Sequence, residues 1–97
     1  MLKDEPHDIF LRYSLAMEMA NDGEQEEALK TFGQLCDATP PHVPAFFRRA
    51  QMFADLDRIG EARDELRRGI EQARQQGDSH AAAEMGEMLS DLGAHGE

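Results

Sequence analysis

Apolar positions along the chain recur at intervals of three and four, and the alternation of a half-buried strand is nowhere sustained over a useful length. The pattern predicts five helices and an all-α fold. A first helix is expected to open near Pro6, with Asp4 or Glu5 as cap, and to run through Ile9, Tyr13, Ala16 and Ala20 until Asn21, Asp22 and Gly23 stop it. A second, from about Glu24 to Asp37, carries Ala28, Phe32, Leu35 and Cys36 on one face and sets Glu24, Glu26 and Glu27 in its first turn, where the helix dipole favours them. Pro40, Pro41 and Pro44 end it. A third helix is expected over about Val43 to Leu56 with Phe46, Ala50 and Phe53 as its spine. A fourth follows from about Arg58 to Gln76 through Ala62, Leu66, Gly69, Ile70 and Ala73. Gly77, Asp78 and Ser79 then cap a fifth, about His80 to Leu92, whose apolar stripe is Ala82, Met85, Leu89 and Leu92. Gly93 reads as its stop, which leaves residues 93–97, like 1–5, as flexible ends.

Shifting the chain against itself by 34 residues places Ala28 on Ala62, Ala16 on Ala50, Phe32 on Leu66, Glu27 on Glu61 and Cys36 on Ile70. Small falls on small, large on large and polar on polar. Such a pattern describes a helical hairpin, in which small residues mark the close crossing of two helices and large ones fill the grooves beside it. One hairpin cannot bury its apolar face alone, so hairpins stack.

This period and these residues resemble the tetratricopeptide repeat family. Leu15, Ala16, Met19, Gly23, Ala28, Phe32, Leu35 and Pro40 fall on the family's signature positions in a first repeat, and Phe46, Ala50, Phe53, Ala62, Leu66 and Gly69 in a second. The fifth helix is similar to the opening helix of a third repeat, with Ala82, Met85, Gly86, Leu89 and Gly93 in register once two extra residues are allowed. The resemblance implies one domain, an αα-hairpin superhelix, with a first repeat at about 9–42, a second at about 43–78 and a capping helix at about 79–92. Two departures stand out. Arg12 and Arg49 occupy positions where the family has bulky apolar residues, and a buried arginine must snorkel outward or meet a carboxylate.

The resemblance further implies that the first helix of each hairpin lines a concave face that receives an extended peptide or a partner helix. By position that face comprises Phe10, Tyr13, Ser14, Met17 and Asn21, then Phe47, Arg48, Gln51 and Asp55, with His80, Ala83 and Glu87 as the far wall. Aromatic and Met-rich surfaces of this kind suit apolar side chains. Ordinary packing or a dimer contact is the competing reading of Phe10, Tyr13 and Phe47. Some family members clamp a C-terminal carboxylate with lysine, asparagine and arginine. Here Tyr13, Met17, Arg48, His80 and Glu84 stand at those places, so that clamp is absent.

Charge narrows the partners. The net charge of −10 disfavours nucleic acid and anionic membrane, which reward basic surfaces. Residues 1–47 sum to −6, residues 48–74 to +1 and residues 75–97 to −5. The central basic residues are all arginines, expected either to pair along the helices, as Asp64 with Arg68 or Arg67 with Glu71, or to face a partner. With 40% hydrophobic and 31% charged residues and no apolar run long enough to cross a bilayer, the chain reads as a globular cytoplasmic domain. Its single cysteine, Cys36, reads as a small buried hydrophobe. His7, His42, His80 and His95 are scattered, and His80 with Glu84 supplies two metal-type ligands only. No phosphate, dinucleotide or zinc motif occurs. The expectation is therefore a non-catalytic interaction module without metal or cofactor, whose partner is another protein or peptide. A self-associating structural protein, dimerising through the groove or the last helix, is the alternative.

Overall fold

The computed structural model of the chain describes residues 8–96, as five helices: α1 (Ile9–Asn21), α2 (Gln25–Cys36), α3 (Val43–Asp55), α4 (Ile59–Gln75) and α5 (Ser79–Gly96). The expected start near Pro6, with Asp4 or Glu5 as cap, lies outside the described residues, as do the flexible end at 1–5 and His7. Within them α1 begins at Ile9. Its cap is Asp8, whose carboxylate accepts the backbone N–H groups of Phe10 and Leu11 at 3.0 and 3.2 Å. At the other end, α5 runs through Gly93 to Gly96, whereas the sequence reading stops it at Leu92. A glycine ends a helix when it turns left-handed, and Gly93 is not among the residues of positive φ.

The turns that close each hairpin repeat one geometry. Gly23 and Asp57, 34 positions apart, have φ of 85° and 64°, and Gly77 has 78°. In each case the next residue's N–H returns to a carbonyl five residues earlier: Glu24 to Met19 at 2.8 Å, Arg58 to Phe53 at 2.7 Å and Asp78 to Ala73 at 2.8 Å. These bonds satisfy carbonyls that the helix ends leave open. Asp57 does without glycine what Gly23 and Gly77 do with it.

Packing follows chain order. α1 lies against α2, α2 against α3, α3 against α4 and α4 against α5, and α5 also touches α3. The Cα trace measures 48 × 33 × 16 Å, so its thin dimension holds only two helix layers. The main core runs between those layers through Ala16, Phe32, Leu35, Phe46, Ala50, Leu66 and Met85, and a smaller one joins Leu29, Phe53 and Ala62. The repeating alanines are completely buried, as close helix crossings require. Gly69 is the tightest crossing. A Cβ there would lie 2.6 Å from both the Met85 sulfur and the Phe46 Cβ, so the absence of a side chain lets α3, α4 and α5 converge.

Arg49 resolves as charge physics demands. Its Nη1 meets the Glu65 carboxylate at 2.8 Å, its Nε donates to the Leu29 carbonyl at 2.9 Å, and the guanidinium lies 5.0 Å over the Phe53 ring. Glu65 is 3% exposed and takes a second arginine, Arg68, at 2.8 Å, which also reaches Asp37 at 3.3 Å. The clasp ties α2, α3 and α4 together across the repeat boundary. Arg12 bonds the Gln34 side chain on α2. The expected pairs Asp64–Arg68 and Arg67–Glu71 are replaced by i, i+3 contacts, Arg67 with Asp64 and Arg68 with Glu65, while Glu71 accepts from Gln75 at i+4. The buried Glu65 carboxylate holds Arg49 on Oε2 and offers Arg68 its other oxygen, Oε1.

Candidate functional site

The sequence of helix contacts leaves a furrow along the side where α1, α3 and α5 lie in a row. α1 packs chiefly on α2 rather than on α3, so α2 forms the floor between them. The first cleft there, of about 190 Å³, is lined by Met17, Ala20 and Asn21 of α1, by Gln25 and Phe32 of α2, and by Arg48, Gln51, Met52 and Asp55 of α3. Its base is apolar and its rim polar. Arg48 is held there by the Gln51 side-chain carbonyl at 3.0 Å.

A second cleft of about 240 Å³ lies further along, where α3 meets α5. Tyr13, Val43, Pro44 and Phe47 line one side, and Asp78, His80, Ala81, Glu84 and Met85 the other. Tyr13 stands edge-on to Phe32 at 5.7 Å and to His42 at 5.0 Å. Burial pushes its phenol above the ordinary value against the opposing pull of Arg48, so the hydroxyl stays protonated at neutral pH. Asp78 caps α5 by accepting the Ala81 N–H at 3.1 Å, and His80 lies 3.5 Å from Glu84. Among the described residues no group of three or more potential metal ligands is assembled.

The residues singled out from sequence therefore divide. Met17, Asn21, Arg48, Gln51 and Asp55 meet in the first cleft, and Tyr13, Phe47 and His80 in the second. Phe10 is 76% exposed and rests edge-on against His42 at 5.9 Å, beside the proline-rich loop rather than on the floor. Ser14 is exposed on α1 and lines neither cleft. Ala83 lines a separate shallow groove with Arg74, Gly77 and Gly86, because two positions along a helix from Ala81 amount to a rotation of about 200°. The α5 wall is made by Ala81, Glu84 and Met85 instead of Ala83 and Glu87. Phe32, Met52 and Gln25 complete the first cleft. Phe32 was legible only as core, and it is indeed buried while also lining the cleft.

Cys36 lies on the opposite side of the molecule, 2% exposed, with its thiol donating to Glu65 at 3.5 Å. Burial first, and the neighbouring carboxylate second, push the thiol's pKa up, far from the range of reactive thiolates. No described helix is long and apolar enough to cross a membrane.

Two stacked hairpins closed by a fifth helix, with a furrow along one side, define a helical-repeat protein. Solved structures agree. The chain is similar to the solution NMR structure of a tetratricopeptide repeat domain protein from Salinibacter ruber, at 30% identity over 91% of this chain and 89% of that one, with a TM-score of 0.85. It is also similar to the crystal structure of a tetratricopeptide repeat domain protein from that organism, at 29% identity over 88% and 96% of the respective chains, with a TM-score of 0.79. No protein-family model and no curated protein matches the sequence. On the 30% relation across nearly the whole chain, the protein belongs to the tetratricopeptide repeat family, with an all-α fold of the scaffold type, and serves protein interaction in general.

Proposed function

We propose that the chain is a non-catalytic binding module that receives an extended peptide or a partner helix along the α1, α3 and α5 furrow. The observation that carries this reading is the first cleft, where Met17, Ala20 and Met52 stand half-buried over the Phe32 floor beneath a rim of Asn21, Arg48, Gln51 and Asp55. An apolar base excludes water from a guest side chain, and polar groups around it fix backbone orientation. A reducing compartment, the cytoplasm, suits a domain with one free buried thiol.

Short random peptides displayed on phage and selected against the immobilised chain test the reading. Binders are expected to lose affinity at least about tenfold, or roughly 1.4 kcal/mol, for Phe47→Ala with helicity unchanged. Asn21→Arg repeats the test without touching the core, because Asn21 is exposed at the end of α1. Equal binding by both variants refutes the proposal. Self-association has one observation in its favour, the exposed Phe10, Leu11 and Leu15 of α1 at 76%, 42% and 44%. Sedimentation at micromolar concentration decides it, since a strict monomer eliminates a dimer.

A further inference from the structure

The two clefts of the furrow differ in charge. Arg48 sits in the first, about two turns from Asp55 on the same helix, and its positive charge reaches the Tyr13 hydroxyl. The second, against α5, has aromatic walls in Tyr13 and Phe47, an apolar contribution from Met85, and two carboxylates, Asp78 and Glu84, with neither lysine nor arginine in its described lining. His80 lines it too, 3.5 Å from Glu84, and its side chain is 85% exposed, so burial does not hold it in that contact.

Resting on the reading of the furrow as a peptide-binding face, we infer that the α5 cleft takes a basic side chain, so that the partner segment is a cationic peptide. An ammonium or guanidinium group gains from the negative faces of aromatic rings and from carboxylates at once. Its aliphatic stem packs on apolar walls while the charged head stays near solvent. The volume of about 240 Å³ is several times the ~30 Å³ share of one water, which is room for one long side chain. An acidic guest meets Asp78 and Glu84 as like charges, and a purely apolar one strips water from both carboxylates with no bond in return. The chain's net charge of −10 draws a basic segment toward this surface from a distance. Arg48 fixes the polarity of the complex: the guest's cation lies toward α5, and its apolar or carbonyl-bearing part lies over the first cleft.

The probes are the selected phage-display peptides and their analogues, measured on the full chain. Binders are expected to be enriched in lysine or arginine at one position, and replacing that residue by norleucine weakens binding about tenfold. The double variant Asp78→Asn, Glu84→Gln removes both charges while asparagine keeps the helix cap. It is expected to lose about tenfold for the basic peptide and nothing for the norleucine analogue, and to show a shallower salt dependence, since the remaining net negative charge keeps part of it. Binders that are sensitive to Phe47→Ala but show no basic enrichment, or are indifferent to the double variant, overturn this inference and leave the furrow reading standing. Binders indifferent to Phe47→Ala and Asn21→Arg, or no binders at all, overturn both.

Discussion

Removing half of the Arg49–Glu65 clasp is expected to cost far more than removing all of it. Glu65 is nearly sealed from water and satisfies both carboxylate oxygens on Arg49 and Arg68 at 2.8 Å each. Arg49→Leu leaves the carboxylate with Arg68 and the weak thiol donor Cys36, and strips the Leu29 carbonyl of its Nε donor. Breaking a buried ion pair typically costs about 3–5 kcal/mol. Arg68 survives, and the Arg49 side chain is 25% exposed, which lowers the expected cost to about 2–3 kcal/mol. Glu65→Leu strands two guanidinium groups, but both keep a route to water, and the expected cost is again about 2–3 kcal/mol. In the double variant the leucines meet each other beside Leu29 and Phe53, and buried pairs exchanged for apolar residues are often neutral. The double variant should therefore lie within about 1 kcal/mol of the parent, giving a coupling of about 3 kcal/mol or more. Urea unfolding followed by helicity measures all four corners of the cycle, and equal slopes against denaturant confirm that stability alone has changed. A coupling near zero, or single variants costing under about 0.5 kcal/mol, would refute the claim that this pair binds the two hairpins together.

Three further expectations follow from local geometry. Gly69→Ala gains about 1 kcal/mol in helix propensity but drives a methyl group into Met85 and Phe46, so the urea midpoint falls by a net ~1–2 kcal/mol; an unchanged or raised midpoint contradicts the close crossing. Asp57→Gly removes the strain of a left-handed aspartate and should stabilise by ~0.5–1 kcal/mol, whereas the same substitution at the exposed helical Asp64 loses helix propensity and the Arg67 pair and should destabilise by ~0.5 kcal/mol. Burial holds the His42 imidazole below its ordinary pKa, so the unfolded chain takes up that proton before the folded one does. Its contribution is complete above about pH 6.5 and is lost as pH falls through that value toward the depressed one. The resulting slope is a fraction of the ~1.4 kcal/mol per pH unit that one fully uncoupled proton gives. His42→Gln should flatten the urea-midpoint profile over that window, and an identical profile excludes His42 as its source.

The fold was legible because three independent patterns in the sequence agree. The 34-residue offset pairs Ala16 with Ala50 and Ala28 with Ala62, all four of which are fully buried at helix crossings. Apolar periodicity located each helix, and Gly23 and Gly77 marked turns that hydrogen bonds close. What escaped was set by three-dimensional phase. Ala83 and Glu87 occupy the places that repeat register assigns to the groove, yet α5 turns Ala81, Glu84 and Met85 toward α3. Phe10 reads as groove floor by position, but the described residues place no helix over that part of α1, and its ring leans on His42 instead. Leu15, on a signature position, is 44% exposed for the same reason. Arg49 looked like a defect in the pattern because its partner, Glu65, lies on the next helix, 16 residues away.

The central claim is that the furrow along α1, α3 and α5 is the binding face, and an amide NMR titration of the chain with a selected basic peptide tests it most directly. Saturable shifts concentrated on Tyr13, Met17, Asn21, Phe47, Arg48, Gln51, Asp55, His80 and Glu84 are the predicted result. Shifts gathered instead on the α2 and α4 side, around Lys30, Asp64 and Arg67, or on Leu11 and Leu15 alone, would contradict it.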